Sequence, residues 1–398
     1  MTSTAAFAPS PSGVRLGQLP PLALYVHIPW CVKKCPYCDF NSHQVRESVP
    51  EKAYVGALVS DLEQALPEVW GRRVYSIFFG GGTPSLFSAD AIETLISAFR
   101  ARLSLAADCE ITLEANPGTF EAGKFRGYRQ AGVNRLSIGV QSFDPRHLKA
   151  LGRIHDDGEA RRAIEIARDC FDNVNLDLMY ALPGQMPAEA RADAEAAIDA
   201  GVAHLSFYHL TIEPNTHFFR HPPVLPDDDS ASAMQDAVGA ALARGGYVHY
   251  ETSAWAKSGR ECRHNLNYWR FGDYLGIGAG AHSKLSFPER ITRSARWKQP
   301  KEYIERVSEG RPAQERHEVG RDDLVFEFMM NALRLTEGFP VSRFVERTGL
   351  QIAVADKTLR EAEARGLVVR DHERIVASAL GQRFLNDLLQ IFLPVRSS

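Results

Sequence analysis

Three of the six cysteines in this chain lie within eight positions, at Cys31, Cys35 and Cys38. They follow an apolar run at residues 22–28, so we expect them in a loop that leaves a β-strand. Thiolates held this close together repel one another unless a soft cation shares their charge. The spacing therefore predicts a metal centre in this loop.

The kind of metal centre follows from what surrounds the three thiols. A closed zinc site needs a fourth ligand, and the next positions offer only Asp39 and His43, while the remaining cysteines are scattered. A disulfide is disfavoured because the chain shows no secretion signal, which indicates a reducing compartment. Three thiolates suit a cubane iron–sulfur cluster whose fourth iron stays open for an exchangeable ligand. We favour such a cluster, with zinc as the alternative.

The spacing CxxxCxxC, with Tyr37 just before the last cysteine, resembles the signature of the radical S-adenosylmethionine (SAM) enzymes. This resemblance implies a [4Fe–4S] cluster at Cys31, Cys35 and Cys38, with SAM as the ligand of the open iron. In that superfamily one electron from the cluster can split SAM to a deoxyadenosyl radical. An electron donor such as flavodoxin or ferredoxin is therefore implied if SAM is cleaved.

Composition places the chain among ordinary globular proteins. Its 398 residues, 44% hydrophobic and 24% charged, allow one large and one small domain. The net charge of −3 lacks the basic excess of a nucleic-acid binder, and no apolar run reaches the roughly 18 residues of a membrane span. Residues 1–20 lack the apolar centre of a signal peptide and predict a disordered leader. The predicted location is the cytoplasm.

The elements that position the cysteine loop alternate between strand and helix. From residue 21 to 255 this alternation predicts an α/β fold, with a parallel sheet and helices outside it. Six or seven β/α units make a partial (β/α)6-type barrel. Residues 256–299 are predicted as a connecting segment, and residues 300–398 as a smaller, mostly helical, winged-helix-like domain. Acidic and basic residues nearly balance in that domain, which argues against DNA binding.

Polar residues and glycines follow several of the predicted strands. A glycine loop at residues 80–83 ends the second strand, and Glu114, Gln141 and Asp177 stand at or near the ends of the next three. Because the C-terminal ends of the strands form the active face of β/α architectures, these groups should converge on one pocket. Any one of them alone could instead cap a helix, and it is the series that favours a pocket. Glycines there let a ligand approach the backbone.

Five further stretches resemble the oxygen-independent coproporphyrinogen III oxidase family, over roughly residues 21–390. They are Tyr25-Val26-His27-Ile28-Pro29, Phe79-Gly80-Gly81-Gly82-Thr83-Pro84-Ser85, Glu114-Ala115-Asn116-Pro117, Gly139-Val140-Gln141-Ser142-Phe143 and Asp177-Leu178-Met179-Tyr180-Ala181-Leu182-Pro183-Gly184-Gln185. Carried over residue by residue, the resemblance implies SAM contacts from Tyr25, Tyr37, Gly81, Gly82, Thr83, Glu114, Gln141, Arg153, Asp177, Thr211 and Ala281. It implies that the glycine loop receives the amino group of SAM, that Glu114 binds the ribose and that Arg153 pairs with the carboxylate. Thr83 stands where the superfamily usually carries an acid.

Two features separate the branches of this family. The decarboxylating branch, which converts propionate side chains of coproporphyrinogen III to vinyl groups, carries a fourth cysteine two positions after the cluster motif. In this chain that position is Phe40. The stretch from Cys262 to Trp269 resembles the HNxxYW signature of a second branch, that of haem-binding, chaperone-like proteins.

The second resemblance implies haem as a further cofactor, held by His264, Tyr268 and Trp269. Imidazole is a common axial ligand of haem iron, and aromatic faces stack on a porphyrin. The alternative is an aromatic patch that joins the barrel to the next domain, with His264 hydrogen-bonded inside it.

We therefore predict a haem chaperone that delivers haem to acceptor proteins, with the coproporphyrinogen oxidase as the alternative. No residue is assigned a catalytic role. A radical SAM enzyme acting on RNA is disfavoured by the balanced charge.

Overall fold

A computed structural model describes residues 13–119 and 122–394. In that part of the chain the strands are β1 Leu22–Ile28, β2 Trp30–Cys31, β3 His43–Gln44, β4 Arg73–Gly81, β5 Ser104–Ala115, β6 Arg135–Gln141, β7 Val174–Tyr180, β8 His204–His209, β9 Val248–Glu251, β10 Ala254–Ala256, β11 Asp273–Ile277, β12 His282–Phe287, β13 Arg290–Arg296, β14 Ala313–Glu318, β15 Phe339–Pro340, β16 Val368–Arg370 and β17 Arg374–Ala377. The helices are α1 Glu51–Val69, α2 Ala89–Arg102, α3 Ala122–Ala131, α4 Pro145–Ala150, α5 Asp157–Cys170, α6 Pro187–Asp199, α7 His217–Arg220, α8 Asp228–Arg244, α9 Arg263–Trp269, α10 Pro300–Ser308, α11 Arg321–Ala332, α12 Val341–Thr348, α13 Asp356–Ala364, α14 Ala379–Arg383 and α15 Leu385–Gln390. None of these helices is long and apolar enough to span a membrane.

Twelve strands form one sheet, in the order β14-β13-β12-β11-β1-β4-β5-β6-β7-β8-β10-β9. The seven strands from β11 to β8 in that order are parallel neighbours. The strands at both sides of this block pair antiparallel. Because β14 and β9 end the order without pairing to each other, the barrel is open over the described residues. The predicted partial β/α barrel with a smaller helical region is confirmed.

Local sequence explains these elements. The first strand reads LALYVHI and is buried at every position but one, as expected for a parallel strand covered on both faces. The helix α5 begins at a capping box, in which Asp156 and Glu159 each bond the other's backbone N–H. Its buried face is made of small and aliphatic residues such as Ala163 and Ile164. Such helices pack on the outside of the sheet and leave its inner face free to line a cavity.

Residues 256–299, predicted as a connecting segment, form part of the large sheet. These residues supply β11, β12 and β13, and β11 pairs in parallel with β1, so that Leu275 lies opposite Leu24. The glycines of this stretch resemble a loop in sequence, yet they allow close packing of strands. A Cβ at Gly276 would lie 2.1 Å from the carbonyl oxygen of His282.

The smaller domain also begins later than the predicted residue 300. Tyr303 and Val307 of α10 belong to the main core, and β14 completes the large sheet. A second hydrophobic core is formed mostly by buried residues from Val319 onward. There α12, α13 and the three-stranded sheet β15-β17-β16 match the predicted winged-helix arrangement.

The prediction of a disordered leader over residues 1–20 fails for its described part. Val14 and Leu16 are buried in the second core, and the backbone N–H of Leu16 donates to the carbonyl of Pro288 at 2.9 Å. Two aliphatic residues were too few to distinguish this segment from a disordered one in the sequence. Residues 1–12 lie outside the described part of the chain.

Candidate cofactor pocket

Cys31 ends the short strand β2, and Cys35 and Cys38 lie in the loop that joins β2 to the parallel strand β3, just after the first barrel strand. The N–H of Cys38 donates to the carbonyl of Cys35 at 3.2 Å, and the N–H of Val45 donates to the carbonyl of Cys31 at 2.9 Å. Lys34 closes the loop by donating from Nζ to the carbonyl of Phe40 at 3.1 Å. All three thiols are free and half-buried, and all line one cavity of about 370 Å³. We call this cavity the cysteine pocket.

The positions of the three sulfurs favour one of the two kinds of metal centre, zinc or an iron–sulfur cluster, that the sequence left open. Among the described residues, the potential ligand atoms that group within 4.8 Å of one another belong to Asp144, His147 and Glu189. The three cysteine sulfurs are therefore spread more widely than ligands of one zinc ion, whose bonds of about 2.3 Å hold them closer than about 4.6 Å. A cubane, in which each thiolate binds a different iron, suits the wider spread.

The group formed by Asp144, His147 and Glu189 lies outside the cysteine pocket. Arg146 donates from Nη2 to both carboxylates at 2.6 Å, and Asp144 caps the first turn of α4. These contacts occupy the carboxylate oxygens, so the group acts as an ion-paired helix cap.

The glycine loop forms one wall of the cysteine pocket. Gly81 has φ +116°, and a Cβ there would lie 2.5 Å from the ring of His27. A Cβ at Gly82 would lie 2.5 Å from the carbonyl oxygen of Trp30, to which the N–H of Thr83 donates at 2.7 Å. The glycines are therefore required because the loop packs against the backbone that leads into the cysteines.

Two carboxyl groups face the pocket from parallel strands on either side of β6, Glu114 from β5 and Asp177 from β7. Glu114 at the end of β5 accepts a hydrogen bond from the N–H of Gly81 at 3.2 Å. Burial, and then the nearby charge of Asp177, raise the pKa of Glu114 to about 8. Burial also raises the pKa of Asp177, against the hydrogen bonds that its carboxylate accepts. Near neutral pH the pocket therefore holds less negative charge than two free carboxylates would give it.

Arg153 connects the cysteine loop to the strand ends. Its guanidinium donates to the sulfur of Cys35 at 3.3 Å, to the carbonyl of Gly139 at 2.9 Å and to the side chain of Asn116. The amide of Asn116 in turn donates to the hydroxyl of Thr83 at 2.9 Å. This row of contacts places a positive charge between the sulfurs and the strand ends.

The structure brings nine of the eleven predicted SAM residues together in the cysteine pocket. They are Tyr37, Gly81, Gly82, Thr83, Glu114, Gln141, Arg153, Asp177 and Thr211. The other two lie outside its lining. Tyr25 is turned toward His27, whose Nδ1 lies 3.0 Å from its hydroxyl, and Ala281 is buried where β12 begins.

Sequence reasoning placed Asn116 beside Glu114 at this pocket but missed several residues that also line it, among them Ser137, Gly139, Met179, Tyr208 and His209. Ser137 and Gly139 stand two apart on β6, so they point to the same face of the sheet. Alternation along each strand, counted back from its polar end, would have found these two. Tyr208 and His209 are the last two residues of β8.

The predicted haem residues lie on α9, and none of them lines the cysteine pocket. His264 is only 2% exposed, with Nδ1 3.0 Å from the Ser76 hydroxyl. Its ring lies 4.9 Å from those of both Phe78 and Tyr268. Trp269 instead faces Arg334, whose guanidinium carbon is 4.4 Å from the indole ring. The helix therefore closes the lower part of the barrel, beneath the pocket.

A parallel β/α sheet whose first strand leads into three clustered cysteines, with a cavity at the strand ends, defines a radical SAM protein. Residues 25–197 match the Radical SAM superfamily, and residues 319–384 match the HemN C-terminal domain.

The similarity to three relatives of known name covers nearly the whole chain. It is 50% identical over 378 residues to the heme chaperone HemW of Escherichia coli, covering 94% of this chain and 99% of that protein. It is 46% identical to HemW of Haemophilus influenzae, covering 94% and 99%, and 33% identical to HemW of Bacillus subtilis, covering 93% and 98%. The chain belongs to the HemW family.

The fold is also that of a solved radical SAM enzyme. Coproporphyrinogen III oxidase (HemN) from Escherichia coli superimposes with a TM-score of 0.80 at 25% sequence identity, over 94% of this chain and 90% of that one. The match includes the smaller domain as well as the open barrel, which is why both branches of the family had to be weighed from sequence.

Proposed function

We propose that this chain is a haem chaperone, which binds haem, carries a SAM-ligated [4Fe–4S] cluster and delivers haem to acceptor proteins. The observation that carries the proposal is the near full-length similarity to proteins named heme chaperone HemW, at up to 50% identity. The chain's own residues support it at Phe40, which lines the cysteine pocket and is 60% exposed. A thiol would stand at this position in the decarboxylating branch. We keep the cytoplasm as the proposed location.

The residues of the cysteine pocket fit the two cofactors. Burial raises the pKa of the Cys31 and Cys38 thiols, so their thiolates need a cationic partner such as iron. A [4Fe–4S] cluster bound there would supply one-electron chemistry to SAM. Glu114 would accept hydrogen bonds from the ribose, and Arg153 would face the carboxylate. If SAM is cleaved, an external donor such as flavodoxin or ferredoxin must provide the electron.

The haem seat at His264, Tyr268 and Trp269 remains a prediction. In its favour, burial lowers the pKa of His264 to about 3, which keeps the imidazole neutral, and its Nε2 is buried with no hydrogen-bond partner. Against it, the rings of Phe78 and Tyr268 enclose the imidazole. In the folded arrangement these residues do not fit a macrocycle. Haem binding at His264 therefore requires α9 to move away from the barrel.

The coproporphyrinogen oxidase is the competing function, because HemN shares the fold. Both are tested on the reconstituted protein by haem titration and by turnover of coproporphyrinogen III with SAM and reductant. We expect haem binding and no vinyl product. Replacing Cys31, Cys35 and Cys38 together by alanine should remove the broad visible absorption of the cluster. Turnover of coproporphyrinogen III by the wild-type protein would contradict the chaperone proposal.

The haem seat has its own test. His264→Ala should shift the Soret band and weaken haem binding while the iron content stays unchanged, because the cluster uses different residues. Haem bound by His264→Ala with the wild-type spectrum and affinity would move the seat elsewhere and leave His264 a structural role inside the barrel.

A further inference from the structure

A line of buried polar side chains runs beneath the cysteine pocket and ends on Asp177. One carboxylate oxygen of Asp177 accepts from the hydroxyl of Ser137 at 2.8 Å, and the other accepts from the side-chain amide of Asn175 at 2.9 Å. Asn175 is 2% exposed and lies two positions earlier on the same strand, so both side chains point into the barrel. The carboxylate that lines the pocket is thus held from below.

The orientation of the Asn175 amide follows from its neighbours. Its nitrogen must face Asp177, because an amide oxygen there would oppose a carboxylate oxygen. The amide oxygen then faces Nδ1 of His204 at 2.6 Å and accepts from the Ser206 hydroxyl at 3.1 Å. Only a protonated Nδ1 can donate to that oxygen. The contact therefore fixes which nitrogen of His204 carries the proton.

The position of the proton on His204 also determines which atom donates in its hydrogen bond to the next residue, Tyr250. His204 is fully buried, and burial together with the charge of Arg135 lowers its pKa well below the usual value, so the ring is neutral. With the proton on Nδ1, Nε2 accepts, and the hydroxyl of Tyr250 donates to it across 2.8 Å. The Tyr250 oxygen accepts in turn from the backbone N–H of Cys262 at 3.3 Å. Every hydrogen bond from Cys262 to Asp177 points the same way.

We propose that His204 is a positioning residue of the cysteine pocket, which fixes the Asp177 carboxylate through Asn175 and ties it to the turn that precedes α9. This inference rests on the proposed function, in which Asp177 contacts SAM. Buried polar groups in a barrel interior are unfavourable unless every one is satisfied. A line of satisfied groups that ends on a pocket carboxylate therefore indicates positioning of that carboxylate in addition to packing. A displacement of the turn before α9 would be transmitted to the pocket.

The test compares two substitutions of His204 that differ in one hydrogen bond. In His204→Asn the side-chain nitrogen takes the place of Nδ1 and still donates to Asn175, whereas His204→Leu donates nothing. SAM affinity is measured by equilibrium dialysis on protein with a full cluster, with iron content and thermal unfolding as controls. We expect His204→Leu to weaken SAM binding about five- to tenfold, the effect of about one lost hydrogen bond, and His204→Asn to stay within about twofold of the wild type.

A double-mutant cycle with Asp177→Asn separates positioning from general loosening of the barrel. Asp177→Asn should weaken SAM binding, and His204→Leu should then add little, because the carboxylate it positions is gone. If His204→Leu does not load a cluster, Tyr250→Phe replaces it. Without the phenol donor, Nε2 of His204 loses its hydrogen bond and the ring is held less firmly against Asn175, so we expect about two- to fivefold weaker SAM binding.

The outcomes are distinct. Wild-type SAM affinity in His204→Leu, equal losses in His204→Leu and His204→Asn, or an undiminished His204→Leu effect in the Asp177→Asn background would overturn the positioning role while leaving the SAM site intact. Wild-type SAM affinity in Asp177→Asn would instead remove Asp177 from the SAM site, and the inference would fall with that part of the proposed function.

Discussion

Glu114 shows how a single residue in the cysteine pocket couples the site to stability. Its carboxyl is half-buried near the end of β5, close to the charge of Asp177, and accepts a hydrogen bond from the N–H of Gly81. Arg135 lowers its pKa only in part, so the value in the folded protein is about 8 against 4.5 for an ordinary glutamate. In the protein without cofactors, the folded state therefore keeps a proton that the unfolded state releases.

We predict that Glu114→Gln removes part of the pH dependence of stability. Because the pKa of Glu114 is raised on folding, the wild type loses stability as the pH rises from about 4.5 to about 8, whereas glutamine stays neutral throughout. Glu114→Gln should match the wild type near pH 4 and exceed its free energy of unfolding by a few kcal/mol, as an order of magnitude, near pH 8. Urea unfolding of the cofactor-free protein across this pH range measures the difference.

Glu251 supplies the matched control. Its side chain is buried, and its pKa is raised to about 7, chiefly by burial. The stability difference between Glu251→Gln and the wild type should stop growing near pH 7, while that of Glu114→Gln continues to about 8. A Glu114→Gln variant that follows the wild type at every pH would show that the Glu114 carboxyl is not held protonated.

Residue types predicted the cysteine pocket but not how each residue in it is placed. The spacing of Cys31, Cys35 and Cys38 and the glycine run were sufficient to predict a shared cavity, because local sequence brings them to strand ends. His264 carried an equally specific motif, yet sequence cannot show that its ring lies inside the barrel. Asn175 and His204 went unnoticed because their partners come from different strands, and pairing register is not written in either strand alone.

The antiparallel strands that follow α9 are attached to the barrel through a buried charge cluster. Asp273 at the start of β11 accepts from Nζ of Lys284 at 2.9 Å and forms an ion pair with Arg72 at 2.8 Å. It also accepts from the backbone N–H and the hydroxyl of Ser286, at 2.8 and 2.7 Å. Asp273 and Lys284 are almost completely buried, so each depends on the other for its charge.

We predict that Asp273→Ala lowers the free energy of unfolding by about 3–5 kcal/mol, because it leaves the Lys284 ammonium buried without a counter-charge. Lys284→Met should cost much less, about 1–2 kcal/mol, since Asp273 keeps Arg72 and Ser286 as partners. Chemical denaturation of both variants at pH 7 measures the difference. Equal losses would mean that the cluster contributes through packing and not through charge pairing.

The same region marks the limit of element prediction. Alternation of strand and helix was sufficient for the barrel, because each β/α unit has its own hydrophobic period. The stretch from β11 to β13 has glycines in its first part and short strands throughout, so in sequence it resembles a connector. Only its parallel pairing with β1 in the structure shows that β11 belongs to the barrel. Residues 300–318 were assigned to the wrong domain for a similar reason, since α10 packs on the main core through Tyr303.

The start of the described chain reaches across to the smaller domain. Val14 and Leu16 are buried in the second core together with residues from α11 onward. The contact is close at Gly349, which ends α12 with φ +68°, because a Cβ there would lie 2.6 Å from the backbone nitrogen of Arg15. The segment before β1 therefore acts as a strap that holds the smaller domain to the barrel.

This strap predicts that two glycines with the same backbone conformation tolerate alanine differently. Gly366, at φ +71° after α13, has open space where a Cβ would stand, so Gly366→Ala should cost only the left-handed conformation, about 1–2 kcal/mol. Gly349→Ala meets the backbone of Arg15 as well and should cost clearly more in urea unfolding. Deleting residues 1–17 should lower the stability of the smaller domain by exposing its core, and it should also bring the cost of Gly349→Ala down to that of Gly366→Ala. If the two alanine variants differ by the same amount with and without residues 1–17, the extra cost at Gly349 comes from the smaller domain itself and the strap does not pack there.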